Sequence, residues 1–119
     1  MIFYDFEVFK EDWLAVFIDV TKKKEYVIIN NPDELKALYE ANSKDIWVGY
    51  NNRHYDQYIM KGILLGMNPK RINDWIIVEK KEGWQFSSAF NKIPMINYDV
   101  MPNPPVGLKT LEGFLGSNI

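Results

Sequence analysis

The chain has no cysteine, so neither a disulfide framework nor a thiolate zinc site can be built from it. It has one histidine, His54, which excludes a histidine-rich metal centre. A bound metal would have to rest on oxygen ligands, and that selects magnesium, manganese or calcium over softer ions. No apolar run approaches the roughly 20 residues of a membrane span. The start, Met1-Ile2-Phe3-Tyr4-Asp5, lacks the basic stretch and small-residue cleavage site of a secretory signal. The expectation is a cytoplasmic protein with no membrane partner. Repeats and low-complexity tracts are missing, and the scattered glycines form no phosphate-cradling loop. Ser43, Ser87, Ser88 and Ser117 have no plausible base beside them, which argues against nucleophilic catalysis. Positive charge is not in excess either: 14 Lys and Arg against 16 Asp and Glu leave a net charge of −2. Because strong nucleic-acid binding is largely electrostatic, nucleic acid fits as a weakly held substrate or as one delivered by a larger partner.

What is present describes one globular domain. The 119 residues are 47% hydrophobic and 25% charged, a balance that supports a packed core without staples. Residues 2–9 alternate between a face of Ile2, Tyr4, Phe6 and Val8 and a face of Phe3, Asp5, Glu7 and Phe9. Residues 13–20 are apolar at nearly every position, as in a strand covered on both sides. Tyr26 to Ile29 give a third strand, and the short turns between them predict an antiparallel meander. The period then changes. Asn31-Pro32-Asp33-Glu34 reads as a helix start, a short strand follows at 46–49, and a second helix through Tyr55, Ile59 and Ile63 stops near Gly66. A helix from Pro69, irregular chain over 80–94, a fifth strand at 96–100 and a last helix through Leu108, Leu111 and Leu115 complete the order. This predicts an α/β fold: a mixed five-stranded sheet, antiparallel meander plus parallel strands, flanked by helices. The basic residues Lys61, Lys70, Arg71, Lys80 and Lys81 read best as a solvated helix face.

Two acidic signals stand out. Asp5 and Glu7 are two apart on a strand, so they point the same way about 6.5–7 Å apart. With large apolar neighbours on both faces, the strand should be central. Acids on a mostly buried strand would repel one another and lose hydration, and a divalent cation would compensate. The alternative is a solvated face that carries acids for solubility. The second signal is Gly49-Tyr50-Asn51-Asn52-Arg53-His54-Tyr55-Asp56, which follows a strand and opens a helix. If strands one and four are parallel neighbours, Asp56 hangs over Asp5 and Glu7 at the strand ends, where α/β sheets favour ligands. The alternative is an ordinary turn, with Asp56 a favourable acid in a first helical turn.

Asp5-Phe6-Glu7 followed by Tyr50-Asn51-x-x-x-Tyr55-Asp56 resembles the first two motifs of the DEDD superfamily of 3′–5′ exonucleases. These have a ribonuclease-H-like fold and include the proofreading domains of DNA polymerases. The run from Pro105 to Gly116 also resembles the helix after the fifth strand in that family, in the style of phage or prophage replication enzymes. The resemblance implies two divalent cations, magnesium or manganese, with Asp5 bridging both, Glu7 on the first and Asp56 on the second. It implies that Asn51 or Asn52 contacts a single-stranded DNA 3′ end, with Phe9 and Tyr55 as candidates for packing near the terminal base. Core packing is the alternative role for Tyr55, and His54 reads as an exposed loop residue. The family also uses a fourth carboxylate, preceded by Tyr-x-x-x or His-x-x-x-x, which this sequence lacks; Asp99 falls in a strand and reads as structural. The expectation is therefore an N-terminal part, 1–119, of a single exonuclease-like domain whose last helix or helices, and any attached polymerase, lie further along the parent chain. Such a fragment would be weakly active or inactive. A degenerate domain, an enzyme acting on RNA ends, and a non-catalytic module gripping single strands by aromatic stacking are the competing readings.

Overall fold

A computed structural model describes residues 1–50 and 55–100. The strands are β1 (Ile2–Val8), β2 (Trp13–Asp19), β3 (Lys24–Ile29), β4 (Ile46–Tyr50) and β5 (Ile96–Val100). The helices are α1 (Pro32–Ala41), α2 (Asp56–Leu64) and α3 (Pro69–Ile77). Two single-turn 3₁₀ segments, Gly83–Gln85 and Ser88–Lys92, occupy the stretch expected to be irregular. The five strands form one mixed sheet in the order β3-β2-β1-β4-β5. Antiparallel pairing joins β1 to β2 and β2 to β3, while β1–β4 and β4–β5 are parallel. The α/β class, the meander and the central place of β1 agree with expectation; the helix expected over 108–115 lies outside the described residues.

Local chemistry starts each helix. At α1, the Asn31 side chain accepts from the Glu34 backbone N–H at 3.0 Å, and Pro32 occupies the first turn, where it forfeits no hydrogen bond. Asn68 and Pro69 repeat the device at α3. The C-terminus of α2 closes on Gly66 at φ +82°, with Met67 N–H donating to Gly62 C=O at 2.8 Å and Gly66 N–H to Ile63 C=O at 3.0 Å. That reciprocal pattern needs a left-handed residue, and glycine supplies it without steric cost.

The described helices lie on one side of the sheet. Ile2, Tyr4 and Phe6 from β1 form a single core with Ala15, Phe17, Ile28 and Trp47 from neighbouring strands, and with Leu35, Ile59, Met60, Ile63 and Ile72 from the helices. Edge-to-face contacts among Tyr4, Phe6, Phe17 and Trp47, with ring centroids 5.7–6.2 Å apart, fill its centre. Helices α2 and α3 approach closely because Gly62 has no side chain: a Cβ there would lie 2.0 Å from Ile72 Cδ1. On the opposite face, Val27, Ile29, Ile96 and Tyr98 are exposed, whereas Ile18 and Val48 are buried. The expectation that β2 is covered on both sides is therefore met only in part, since Leu14 and Val16 are half-buried.

Candidate functional site

The parallel ladder between β1 and β4 is short. It pairs Ile2 with Trp47 and Phe3 with Val48, and no further rung follows among the described residues. Strand β4 nonetheless continues to Tyr50, paired with β5. The two strands thus part toward their C-terminal ends, and the strands that follow them lie toward opposite edges of the sheet, β2 beside β1 and β5 beside β4. A crevice at such a divergence is where ligands gather in α/β sheets.

Parting strands leave backbone groups in need of partners. Val20 N–H donates to Met1 C=O and Phe9 N–H to Asp12 C=O, so the odd-numbered amides of β1 face β2. The even-numbered Phe6 N–H therefore points to the β4 side, beyond the last rung. Asp56 meets it there: its Oδ1 accepts from Phe6 N–H at 3.1 Å in a buried contact. Asp56, the first residue of α2, is only 4% exposed. Its carboxylate serves the helix N-terminus and also takes the place of a missing strand rung. The sequence separation in this contact is 50 residues, so no local pattern could have announced it.

Phe6 is the residue between Asp5 and Glu7, so Asp56 reaches β1 at the level of the two acids. Asp5 and Glu7 share one face, as the strand period requires, but both are exposed. The expectation that they sit on a mostly buried strand is corrected: β1 is central and buried along its Tyr4–Phe6 face only, and its acidic face is hydrated. The electrostatic demand for a compensating cation is accordingly weaker than two buried carboxylates would impose. Among the described residues, no three acidic or histidine side chains are gathered closely enough to hold one metal ion. The donor chemistry is right for magnesium or manganese, and Asp56 reaches the backbone between the two acids. Its helix, however, packs on the Tyr4–Phe6 face while Asp5 and Glu7 occupy the other. The three side chains are therefore not gathered as the expectation of Asp56 hanging over the two acids required.

Tyr55 caps the start of α2 and packs against the core, the second of its two candidate roles. Its phenol is pushed well above the ordinary tyrosine range, first by burial and then by the Asp56, Asp5 and Asp74 carboxylates. Tyr55 Oη donates to Asn73 Oδ1 on α3 at 2.5 Å. Asn73 carried no signal in the sequence, because it lies on another helix and belongs to no local motif. Phe9 is 52% exposed in the turn after β1. It borders a concavity of about 460 Å³ shared with Lys10, Trp13, Asn68 and Lys70. Asn51, Asn52 and His54 lie outside the described residues, and of Asp99 only the backbone is described.

The basic residues of 61–81 are largely engaged. Lys70 Nζ donates to Asp74 at 2.7 Å, and Lys81 pairs with Glu79 at 3.2 Å while lying 4.2 Å from the Trp75 ring centroid. Lys61 donates to Gln57 at 3.2 Å, and burial lowers its ammonium pKa. The five basic residues do not share the single solvated helix face expected of them: Lys61 lies on α2 and is half-buried, Lys70 and Arg71 on α3, and Lys80 and Lys81 beyond its end. No described helix is long and apolar enough to cross a membrane. In comparisons with known proteins, no family model, no curated protein and no solved structure matches the chain.

Proposed function

We propose that the chain belongs to a metal-dependent 3′–5′ exonuclease of ribonuclease-H-like architecture that removes nucleotides from single-stranded DNA ends. The observation that carries this reading is the contact of the Asp56 carboxylate with the Phe6 amide, which brings a third acid to the strand between Asp5 and Glu7. The strand order β3-β2-β1-β4-β5 is compatible with that architecture. Asp5, Glu7 and Asp56 would hold two divalent cations, magnesium or manganese. Cations held there would supply activation of a water and stabilisation of a leaving 3′ oxygen. Asp5 and Glu7, on a central strand, would present ligands from a rigid base, while Asp56 would be held at fixed depth by its backbone partner. Phe9, exposed at the same strand end, would pack against the terminal base, and Asn51 or Asn52 would contact the 3′ end. The family that the motifs resemble uses a fourth carboxylate, and this reading requires one beyond Asp5, Glu7 and Asp56.

The test starts with magnesium and manganese titrations of the chain followed by NMR. Responses confined to Asp5, Glu7 and Asp56, and abolished in Asp5→Ala, are expected. The longer product of the natural reading frame is then incubated with manganese and 3′-labelled DNA or RNA oligonucleotides. Loss of label from DNA, absent in Asp5→Ala, is expected; preferential loss from RNA would move the assignment to RNA ends. Strand binding that is unchanged on chelation, with no label lost, would leave only a non-catalytic binding module.

A further inference from the structure

The start of α2 is held from two sides through consecutive residues. Asp56 is tied to β1 by the Phe6 amide. Tyr55, whose C=O accepts the first helical bonds from Tyr58 N–H at 2.9 Å and Ile59 N–H at 3.2 Å, is tied to α3 by its hydroxyl. The Tyr55 side chain makes no capping hydrogen bond to its own helix, so its phenol is committed outward. The acceptor on α3 is itself oriented. Asn73 Nδ2 donates to Asp74 Oδ1 at 3.2 Å, and the same oxygen accepts from Lys70 Nζ at 2.7 Å. Flipping the Asn73 amide would set its oxygen against the Asp74 carboxylate, so the Asp74–Lys70 pair directs Oδ1 toward Tyr55.

We propose that Asn73 is a positioning residue for the Asp56 carboxylate, acting through the hydroxyl of Tyr55. Asn73 fixes the helix N-cap against α3, and the N-cap sets how deeply the next residue, Asp56, reaches into the gap beside β1. The close approach of α2 and α3 at Gly62 and Ile72 makes α3 a firm base for this tether. The consequence for function rests on the metal-site reading above, but the mechanical claim does not.

The experiment uses native-state hydrogen exchange on the full chain, because the Phe6 amide is a built-in reporter of where Asp56 sits. Asn73→Leu removes the acceptor at similar volume, and Tyr55→Phe removes the donor. Either change is expected to speed exchange at Phe6 by about tenfold while Ala15 and Phe17, held in the β2–β3 ladder, change by less than about twofold. Asn73→Gln, which keeps the amide, should restore protection in part. Equal acceleration at all three amides would reduce Asn73 to a general structural role, and an unchanged Phe6 amide would overturn the proposal outright. In parallel, a magnesium titration of Asn73→Leu should show affinity about three- to tenfold below that of the unaltered chain. If the unaltered chain ignores magnesium, the exonuclease reading falls, and the exchange result still decides the role of Asn73.

Discussion

Replacing Asp56 separates its two duties. In Asp56→Ala, the Phe6 N–H loses its acceptor in a buried setting, and a hydrogen bond to a charged group contributes about 1.5–3 kcal/mol. The carboxylate at the N-terminus of α2 adds about 0.3–1 kcal/mol. Relief of repulsion from Asp5 offsets part of this, because Asp5 is exposed and its field is screened by water. The expected net cost is about 2 kcal/mol. Asp56→Asn keeps an oxygen acceptor for Phe6 and gives up only the charge, so it should cost about 1 kcal/mol or less. With an m-value of about 1–2 kcal/mol/M, the alanine variant should unfold about 1–2 M earlier in urea, and the asparagine variant less than about 1 M earlier. Equilibrium unfolding by tryptophan fluorescence measures both. Identical midpoints for the two variants, or an alanine cost below about 0.5 kcal/mol, would refute the view that Asp56 replaces a strand rung.

Asp5→Ala should leave stability within about 0.5 kcal/mol, because the side chain is exposed; a large drop in the unfolding midpoint would make Asp5 structural instead of functional. Gly62→Ala places a methyl against Ile72 Cδ1 and should cost about 1–3 kcal/mol by overpacking, with a compensating Gly62→Ala/Ile72→Val pair recovering part of it in the same assay. The Tyr55 phenol is held above its ordinary range by burial and nearby carboxylates. A raised pKa favours the protonated folded state, so this contribution is full below about pH 10, the unfolded value, and fades as pH climbs toward the folded one. Burial raises Tyr39 and Tyr58 as well, so absorbance at 295 nm should find several tyrosines ionising late, and loss of the latest step in Tyr55→Phe checks the assignment. Asp74 behaves oppositely. Its carboxyl is lowered chiefly by the Lys70 hydrogen bond, so its contribution is present above about pH 4 and lost as pH falls further, and Lys70→Met should return its NMR titration midpoint toward the ordinary carboxylate range.

The sequence and the structure agree most where chemistry is local. Asn31-Pro32 and Pro69 mark helix starts in the sequence, and both helices begin there, α3 with Asn68 as the capping side chain that the sequence reading did not name. The alternation over β1 correctly separates Tyr4 and Phe6 from Asp5 and Glu7. What alternation leaves open is which faces become covered. Phe3 and Phe9 suggested a second buried face, but coverage depends on where the helices pack, and the described ones pack behind Tyr4 and Phe6. Strand β3 starts at Lys24, two residues ahead of the apolar run, because Asp19 pairs with Lys24 across a tight turn in which Lys22 N–H donates to the Asp19 carboxylate. The partners of Asp56 and Tyr55 were illegible for a different reason. A backbone amide carries no side-chain signature, and an asparagine on another helix joins Tyr55 only after two helices have packed.

The early parting of β4 from β1 also bears on how the molecule comes apart. Two regions with continuous ladders, the β1–β3 meander and the β4–β5 pair, meet along a boundary that has two rungs among the described residues. Local opening follows such weak seams before it breaches a long ladder. The Asp56 clasp bridges this seam, so its hold on the Phe6 amide ties the two ladders together where strand pairing does not.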